Sequence, residues 1–387
     1  MFDITSSKRV FEADWKTEGV PFYRAREIVK LARHGFVKNE LFISEEMFDR
    51  YSTKYGIPAA GDIMVTGVGT LGICYVVKKG DRFYFKDGNI IWLKKKTETD
   101  SRFVEYAFQS DHLRSQIDDS VGATVGTYTI IKAKSTLIPV PPLPEQHRIV
   151  GILDEAFDGI AIAKKNAEKN LQNSSALFES NLQSVFAQRG EGWVDRTLDQ
   201  VCIVERGSSP RTIKKYFTTA PTGVNWIKIG DTEEGGKYVY STAQKITPDG
   251  AKQSRFVKEG DFILTNSMSF GRPYIMKTSG YIHDGWFVLR LNASIDADYF
   301  YYLLSSRFVQ SQFAQLASGS VVKNISGDLV KKAVLPIPPL AHQHVIVKEL
   351  LEISAETQRL ESIYHRKLAA LDELKKSLLH QAFNGDL

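Results

Sequence analysis

The sequence predicts an α+β chain built twice. Two globular units with twisted, partly closed β-sheets are separated by two long antiparallel helices that form a coiled coil, with a pseudo-two-fold internal repeat. Three observations predict it. The stretch IPVPPLPEQHRIV from Ile138 returns 197 residues later as LPIPPLAHQHVIV from Leu335, and a repeat of this kind outranks any local signal. Each copy opens a sustained apolar stripe at spacings of three and four, the pattern of a coiled-coil seam. Each is preceded by short β-like runs between turn signals.

The elements follow in order. The first globular unit is assigned to residues 1–141, with GICYVV, RFYF and NIIWL as strands and SRFVEYAFQS from Ser101 as a helix. Within it, GDIMVTGVGTLGICY (Gly61 to Tyr75) matches GDFILTNSMSFGRPY (Gly260 to Tyr274) at an offset of 199, and Asp87-Gly88 falls on Asp284-Gly285 at 197. The prolines have a mechanical task. Proline fixes its own φ and holds its predecessor extended, so PVPP ends one element and aims the next, while Pro144 suits the first turn of a helix.

The first long helix is assigned to 142–190, with its stripe at Ile149, Leu153, Ala156, Ile160, Ala163, Ala167, Leu171, Phe178, Leu182 and Val185. The second globular unit, 191–338, opens with RTLDQVCIVERGSSPRTIKKY, a strand and then a Gly-Ser-Ser-Pro loop rich in Arg and Lys. NWIKI, DFILT and WFVLRL follow as strands, and ADYFYYLLSSRFVQSQF from Ala297 as a helix. The second long helix, 339–387, repeats the first. Gln146-His147 falls on Gln343-His344, and Leu171, Leu177, Leu182 and Phe186 fall on Leu368, Leu374, Leu379 and Phe383.

Bulk properties narrow the function. A length of 387 residues suggests two or three domains. A net charge of +5 permits a polyanionic partner. Two distant cysteines exclude a disulfide framework and fit a reducing compartment. The N-terminus lacks the apolar core of a secretory signal, and no apolar run reaches the ~18 residues of a membrane span. The expected location is cytoplasmic.

A search for chemistry returns no catalytic constellation. There is no G-x-x-x-x-G-K-[ST], and GDTEEGGKY from Gly230 has the wrong spacing. No Asn-Pro-Pro-aromatic tetrapeptide and no zinc-spaced His/Cys cluster occur. His342 and His344 read as solvated or capping residues, and Glu373 with Lys375 as part of a helical stripe. Lys94-Lys95-Lys96 reads as a solvated face with reach to phosphate. No cofactor or metal is expected. The informative loops are VERGSSPRTIKK, TNSMSFGRP and SGSVVKNISG, where Gly, hydroxyls, Asn and Arg/Lys can approach a phosphate backbone and offer forks to base edges.

The chain resembles the specificity subunits of type I restriction–modification systems. The carrying residues are IPVPPLPEQHRIVGILD and LPIPPLAHQHVIVKELL, a proline-rich stretch before a Gln at the head of a long helix, with GDFILTNSMSFGRP, SGSVVKNISGDLVKKAVLPIPP and the terminal LLHQAFNGDL. The resemblance implies two target recognition domains, each reading one half of a bipartite site on double-stranded DNA. It also implies a helical spacer that docks two N6-adenine methyltransferase subunits, joined by restriction (translocase–nuclease) subunits, and a subunit without an active site of its own. The first unit departs from the pattern. It lacks the Trp-x-x-x-x-Leu entry of GWVDRTLDQV, and VGATVGTYTI stands where the second unit has SGSVVKNIS.

Candidate DNA contacts in the second unit are Arg206, Ser208, Ser209, Arg211, Lys214, Asn266, Ser267, Arg272, Lys323 and Asn324. In the first they are Lys8, Arg9, Arg24, Arg26, Thr66 and Thr70. Arg and Asn suit base edges, whereas Lys and Ser suit phosphate. Two other readings stand beside this one: a DNA-recognition subunit of another restriction class, and a coiled-coil scaffold for proteins.

Overall fold

The computed structural model describes residues 1–118, 126–233, 235–266, 271–317 and 326–387. The chain divides into two compact units, Met1–Glu168 with His365–Leu387, and Lys169–Tyr364. Each unit therefore contains part of both long helices.

The first unit has seven strands among the described residues: β1 (Phe2–Thr5), β2 (Val20–Tyr23), β3 (Phe42–Ile43), β4 (Ile63–Thr66), β5 (Cys74–Val76), β6 (Tyr84–Phe85) and β7 (Ile90–Lys95). Its main sheet has the order β1-β7-β4-β5 and is antiparallel throughout. A small sheet, β3-β2-β6, stands apart. The period-two rule explains why NIIWL is an unbroken apolar run. Ile91 and Leu93 join Ile63 and Val65 in one core, and Ile90 and Trp92 join Met64 and Phe85 in another. Both faces of the sheet are buried.

The second unit repeats this plan with β8 (Val194–Thr197), β9 (Cys202–Arg206), β10 (Phe217–Thr218), β11 (Val224–Ile227), β12 (Tyr238–Val239), β13 (Gln244–Ile246), β14 (Arg255–Val257), β15 (Phe262–Thr265), β16 (Pro273–Met276), β17 (Gly280–Ile282), β18 (Trp286–Leu291) and β19 (Val334–Ile337). The sheet β9-β18-β15-β16-β12 matches β1-β7-β4-β5 strand for strand, with β12 added in parallel at the edge. Phe287 and Leu289 face one core, Trp286 and Val288 the other. The internal repeat read from the prolines is thus a repeat of sheet order.

The units differ in what intervenes before the central hairpin. Around the central hairpin β15-β16 the second unit builds a further sheet, β10-β13-β11-β17-β14, four of its strands lying between β9 and β15 in the chain and β17 beyond β16. Between β1 and β4 the first unit has, besides β2 and β3, helices at Ala25–His34 and Glu45–Tyr55, which the sequence reading did not place. Their signals are local: Ile28 and Leu31 make a buried stripe, Gly35 ends the first helix at φ 74°, and Ser44 caps the second through Met47 N. The helix expected from Ala297 is two helices, Ala297–Ser305 and Arg307–Ala317. Ser306 is extended between them, donating to Leu303 O and accepting from Val309 N, so it ends one helix and caps the next.

The long helices are Leu143–Ala187 and Leu340–Asn384. In each unit their segments run antiparallel. Lys164 pairs with Asp372 in the first unit, and Ser175 donates to Glu361 (2.6 Å) in the second. Buried or half-buried positions recur every seven residues: 153, 160, 167 and 174 on the first helix, 350, 357, 364 and 371 on the second. Leu177 and Leu374, repeat partners, are about half exposed and outside this seam. Glu373 pairs with Lys376, and Lys375 packs over Phe157, so the E-x-K fragment is used structurally. No helix among the described residues is long and apolar enough to cross a membrane.

The repeated Gln-His has a structural reason. Gln146 is buried; its Oε1 accepts from Asp100 N (2.9 Å) and its Nε2 donates to Pro141 O (2.8 Å). Gln343 does the same with Asp296 N (2.8 Å) and Pro338 O (3.0 Å). Asp100 and Asp296 are the N-caps of the helices Ser101–Ala107 and Ala297–Ser305. His147 and His344 lie 3.7 and 3.6 Å from those same carboxylates. The glutamine therefore brackets three things: the proline turn, the head of the long helix and the cap of a domain helix.

Candidate nucleic-acid interface

In the second unit the chain leaves β9 at Arg206 and turns at Gly207, whose N–H donates to Trp286 O (2.8 Å). A Cβ at Gly207 would lie 1.9 Å from His283 O, so only glycine fits this approach. Ser208 then donates to Gln253 O (3.0 Å), and Ser209 to Asp284 Oδ1 (3.2 Å). Arg206 Nε donates to Asp284 O (3.3 Å). From the end of β15, buried Asn266 gives its main-chain N–H to Gly285 O (2.8 Å) and its Nδ2 to Asp284 O (3.4 Å). Three sequence-predicted residues, Arg206, Ser209 and Asn266, thus converge on the turn His283-Asp284-Gly285.

Arg211 and Lys214 are exposed beyond that loop, beside Thr212 in the left-handed region at φ 60°. Arg272 is half-buried; it lines a cleft of about 910 Å³ with Lys237, Tyr238, Tyr301 and Tyr302. Ser267, Lys323 and Asn324 lie outside the described residues.

The first unit builds a related arrangement from different side chains. After β1, Ser6 donates to Ile90 O (2.9 Å) and Ser7 to Phe85 O (2.7 Å). Lys8 N donates to Tyr84 Oη (3.0 Å), and Arg9 Nε to Asp87 Oδ2 (2.9 Å). Asp87-Gly88 therefore anchors the loop after the first strand, as Asp284-Gly285 does in the second unit. Thr66 is buried, accepting from Ile73 N (3.0 Å) inside its hairpin, while Thr70 is exposed. Arg24 and Arg26 are engaged within the unit by Glu27 and Glu40. Burial pushes the Glu27 carboxyl up, but its bonds from Arg24 and Arg26 outweigh that and hold it below the usual range. Asp87, Asp284, His283 and Gly207 were not singled out as site residues, although the repeat of Asp-Gly at 197 was a signal for Asp87 and Asp284.

His283 makes the second turn sensitive to pH. Its ring contacts those of Trp226 and Trp286, and its Nδ1 accepts from Gly285 N (2.9 Å), which requires that nitrogen to be unprotonated. Burial lowers its pKa; Asp284, 3.9 Å from Nδ1, pulls the other way and loses. A base with a lowered folded-state pKa binds its proton more readily once its site opens. Its contribution to stability is complete above the ordinary value of 6.5 and is lost as pH falls below it. If this loop contacts DNA, affinity at constant ionic strength should fall as the pH is lowered from above to below 6.5. His283→Gln should flatten that profile. Affinity that instead rises on acidification would mean that net positive charge, not the turn, governs binding.

Among the described residues no group of three or more His, Cys, Asp or Glu can hold a metal ion. Cys74 and Cys202 are buried and unpaired, and burial raises both thiols.

The family described as "Type I restriction modification DNA specificity domain" matches residues 1–172 and 190–365. A putative type I restriction enzyme specificity subunit of Haemophilus influenzae is 29% identical over 44% of this chain and 43% of its own length. The EcoBI specificity subunit of Escherichia coli is 22% identical over 66% and 59%, and the MjaVIII specificity subunit of Methanocaldococcus jannaschii 23% identical over 80% and 76%. The chain thus spans less than two thirds of the first two relatives. Among solved structures, the HsdS subunit of Thermoanaerobacter tengcongensis is similar at TM-score 0.62 and 21% identity, covering 86% of this chain and 82% of its own. A chain from a study of complex assembly and conformational transition in the type I R-M system reaches 0.77 at 20% identity, covering 95% and 91%. These likenesses are likenesses of fold.

Proposed function

The chain belongs to the family of type I restriction–modification DNA specificity domains, and from that premise we propose that it is the sequence-reading subunit of a type I restriction–modification complex. Residues 1–141 and 191–338 act as target recognition domains, each reading one half of a bipartite DNA site. Residues 142–190 and 339–387 form the spacer. Two N6-adenine methyltransferase subunits dock on the repeated helix entries, restriction subunits join that core, and the chain itself contributes recognition rather than catalysis, in the cytoplasm. Half-site separation then follows from protein geometry, as in dimeric DNA readers.

One observation carries this reading. Both units anchor the loop after their first sheet strand on an Asp-Gly turn, yet the loops present different side chains, Lys8 and Arg9 in one, Arg206, Ser209 and Arg211 in the other. A shared frame with different polar tips suits two units that read two different sequences. In it Arg206, Arg211, Arg272 and Asn324 are assigned to base edges, while Asn266, expected there from the sequence, is buried and holds the Asp284-Gly285 turn. Lys214, Lys323, Lys8, Ser208, Ser209 and Ser267 are assigned to phosphates, with Arg9, Arg24, Arg26 and Thr70 completing the first unit's surface, while Thr66, expected there from the sequence, is buried and holds the hairpin beneath it.

The test is long-read methylation sequencing of cells that express an N6-adenine methyltransferase subunit of a type I system from the same source, with and without this chain. A split adenine-methylated motif that requires the chain is expected. Arg211→Ala should relax one position of that motif at a cost of ~1–3 kcal/mol if it reads a base, or weaken all sites equally if it holds phosphate. No chain-dependent methylation, with the methyltransferase present, would refute the reading and favour a protein scaffold.

A further inference from the structure

The second unit's further sheet ends at β14, and its two faces are unlike. Ile227, Ile282 and Val257 turn toward the core that holds Trp286 and Val288. Trp226 and Tyr281, paired across β11 and β17, turn to the other face, where Phe256 of β14 stands opposite Tyr281. The rings of Phe256 and Tyr281 lie 5.4 Å apart, tilted by 60°. Trp226, Tyr281 and Phe256 thus form one aromatic row across three strands.

The loop RGSSPRTIKKY, 206–216, is tied to this sheet. Ser208 N donates to Ile282 O (3.4 Å) and its Oγ to Gln253 O (3.0 Å), while Arg255 Nε donates back to Arg206 O (3.4 Å). Further on, Ile213 and Tyr216 pack into the cluster around Trp226. The loop covers the Trp226 end of the row and leaves the other end open: Trp226 is 3% exposed and Phe256 46%. The loop contains no acid. Arg211, Lys214 and Lys215 are exposed and have no ion-pair partner among the described residues. A single exposed phenylalanine is ordinary. This one sits on a strand whose neighbouring residues bond the basic loop directly.

We infer that Phe256 is a specificity-determining residue of the second unit, in apolar contact with the C5-methyl group of a thymine in its half-site. The inference rests on the DNA reading proposed above. The cations of the loop draw in the phosphate backbone, and among base edges in the major groove only thymine offers a methyl group. The contact is made by the outer edge of the ring. With Tyr281 against its other side, the ring is not free to insert between stacked base pairs as an apolar wedge does. Its place on a strand also fixes it more closely than a loop tip would.

The experiment uses the full chain in complex with the methyltransferase subunit, and duplexes carrying the motif found by methylation sequencing. Each thymine of the motif is replaced in turn by deoxyuridine, which lacks only the methyl group. One replacement should weaken binding by roughly fourfold. Phe256→Ala should weaken binding to the thymine duplex by a similar factor, become indifferent to that replacement and keep the natural salt dependence, since no phosphate contact is lost. Lys214→Ala should do the reverse, lowering the salt dependence and keeping the methyl effect. If Phe256→Ala does not fold, Phe256→Gln, polar and of similar reach at a half-exposed position, takes its place. A motif in which no thymine methyl matters overturns the inference, as does a methyl effect that survives the loss of Phe256. Either result, with a chain-dependent motif in hand, leaves the proposed function standing; absence of such a motif removes both.

Discussion

Gln343→Leu should destabilise the second unit by about 3 kcal/mol, because it leaves the Asp296 N–H and the Pro338 carbonyl without their partner in a buried place. For a unit of this size that corresponds to a fall of roughly 10 °C in the melting temperature. Leucine has nearly the volume of glutamine, so the loss would be one of hydrogen bonding rather than packing. Gln343→Glu, which keeps the acceptor for Asp296 N and loses the donor to Pro338 O, should fall between. Gln146→Leu should behave alike in the first unit, since Asp100 N and Pro141 O stand in the same relation to it. A change below about 1 °C on differential scanning calorimetry would show that water or a shifted cap replaces the bracket.

The second large effect is expected at Gly207. Alanine there places its Cβ 1.9 Å from the His283 carbonyl, a backbone atom that no rotamer change can move aside. The loop from Arg206 to Ser209 or the turn at Asp284 must shift, at a cost of about 3 kcal/mol. The more telling readout is functional. Under the proposed reading, methylation should lose the half-site read by the second unit, while the first unit's contacts, held through Asp87, are untouched. Asp284→Ala is the milder companion: it frees Ser209 but leaves the main-chain acceptor of Arg206 and Asn266 in place. Gly207→Ala protein that melts normally and methylates the full site would remove the loop from the recognition surface.

Much of the architecture was legible because it is written in local spacing. Pro-Pro entries, heptad-spaced apolar residues and buried strands such as NIIWL and WFVLRL report on the few residues around them, and all formed the expected kind of element. The break at Ser306 was missed because its hydroxyl bonds, within three residues on either side, can serve either a continued helix or a cap. The first unit's two helices were missed although their caps and stripe were visible, because no element was assigned before GDIMVTGVGTLGICY. Repeat symmetry is a good guide to frame and a poor one to insertions.

The sequence by itself determined that the chain is one plan written twice, with the same proline turn, glutamine and helix in each copy, because these are short-range consequences of backbone chemistry. Only the tertiary structure decided which polar residues meet. Ser209 and Arg206 reach Asp284 across 75 and 78 positions of chain, and that meeting depends on the register of β9 on β18. A slip of one residue in that pairing would turn every side chain to the other face. Register is set by the packing of two cores at once, Phe287 and Leu289 against one and Trp286 and Val288 against the other. No stretch of sequence read alone contains that sum.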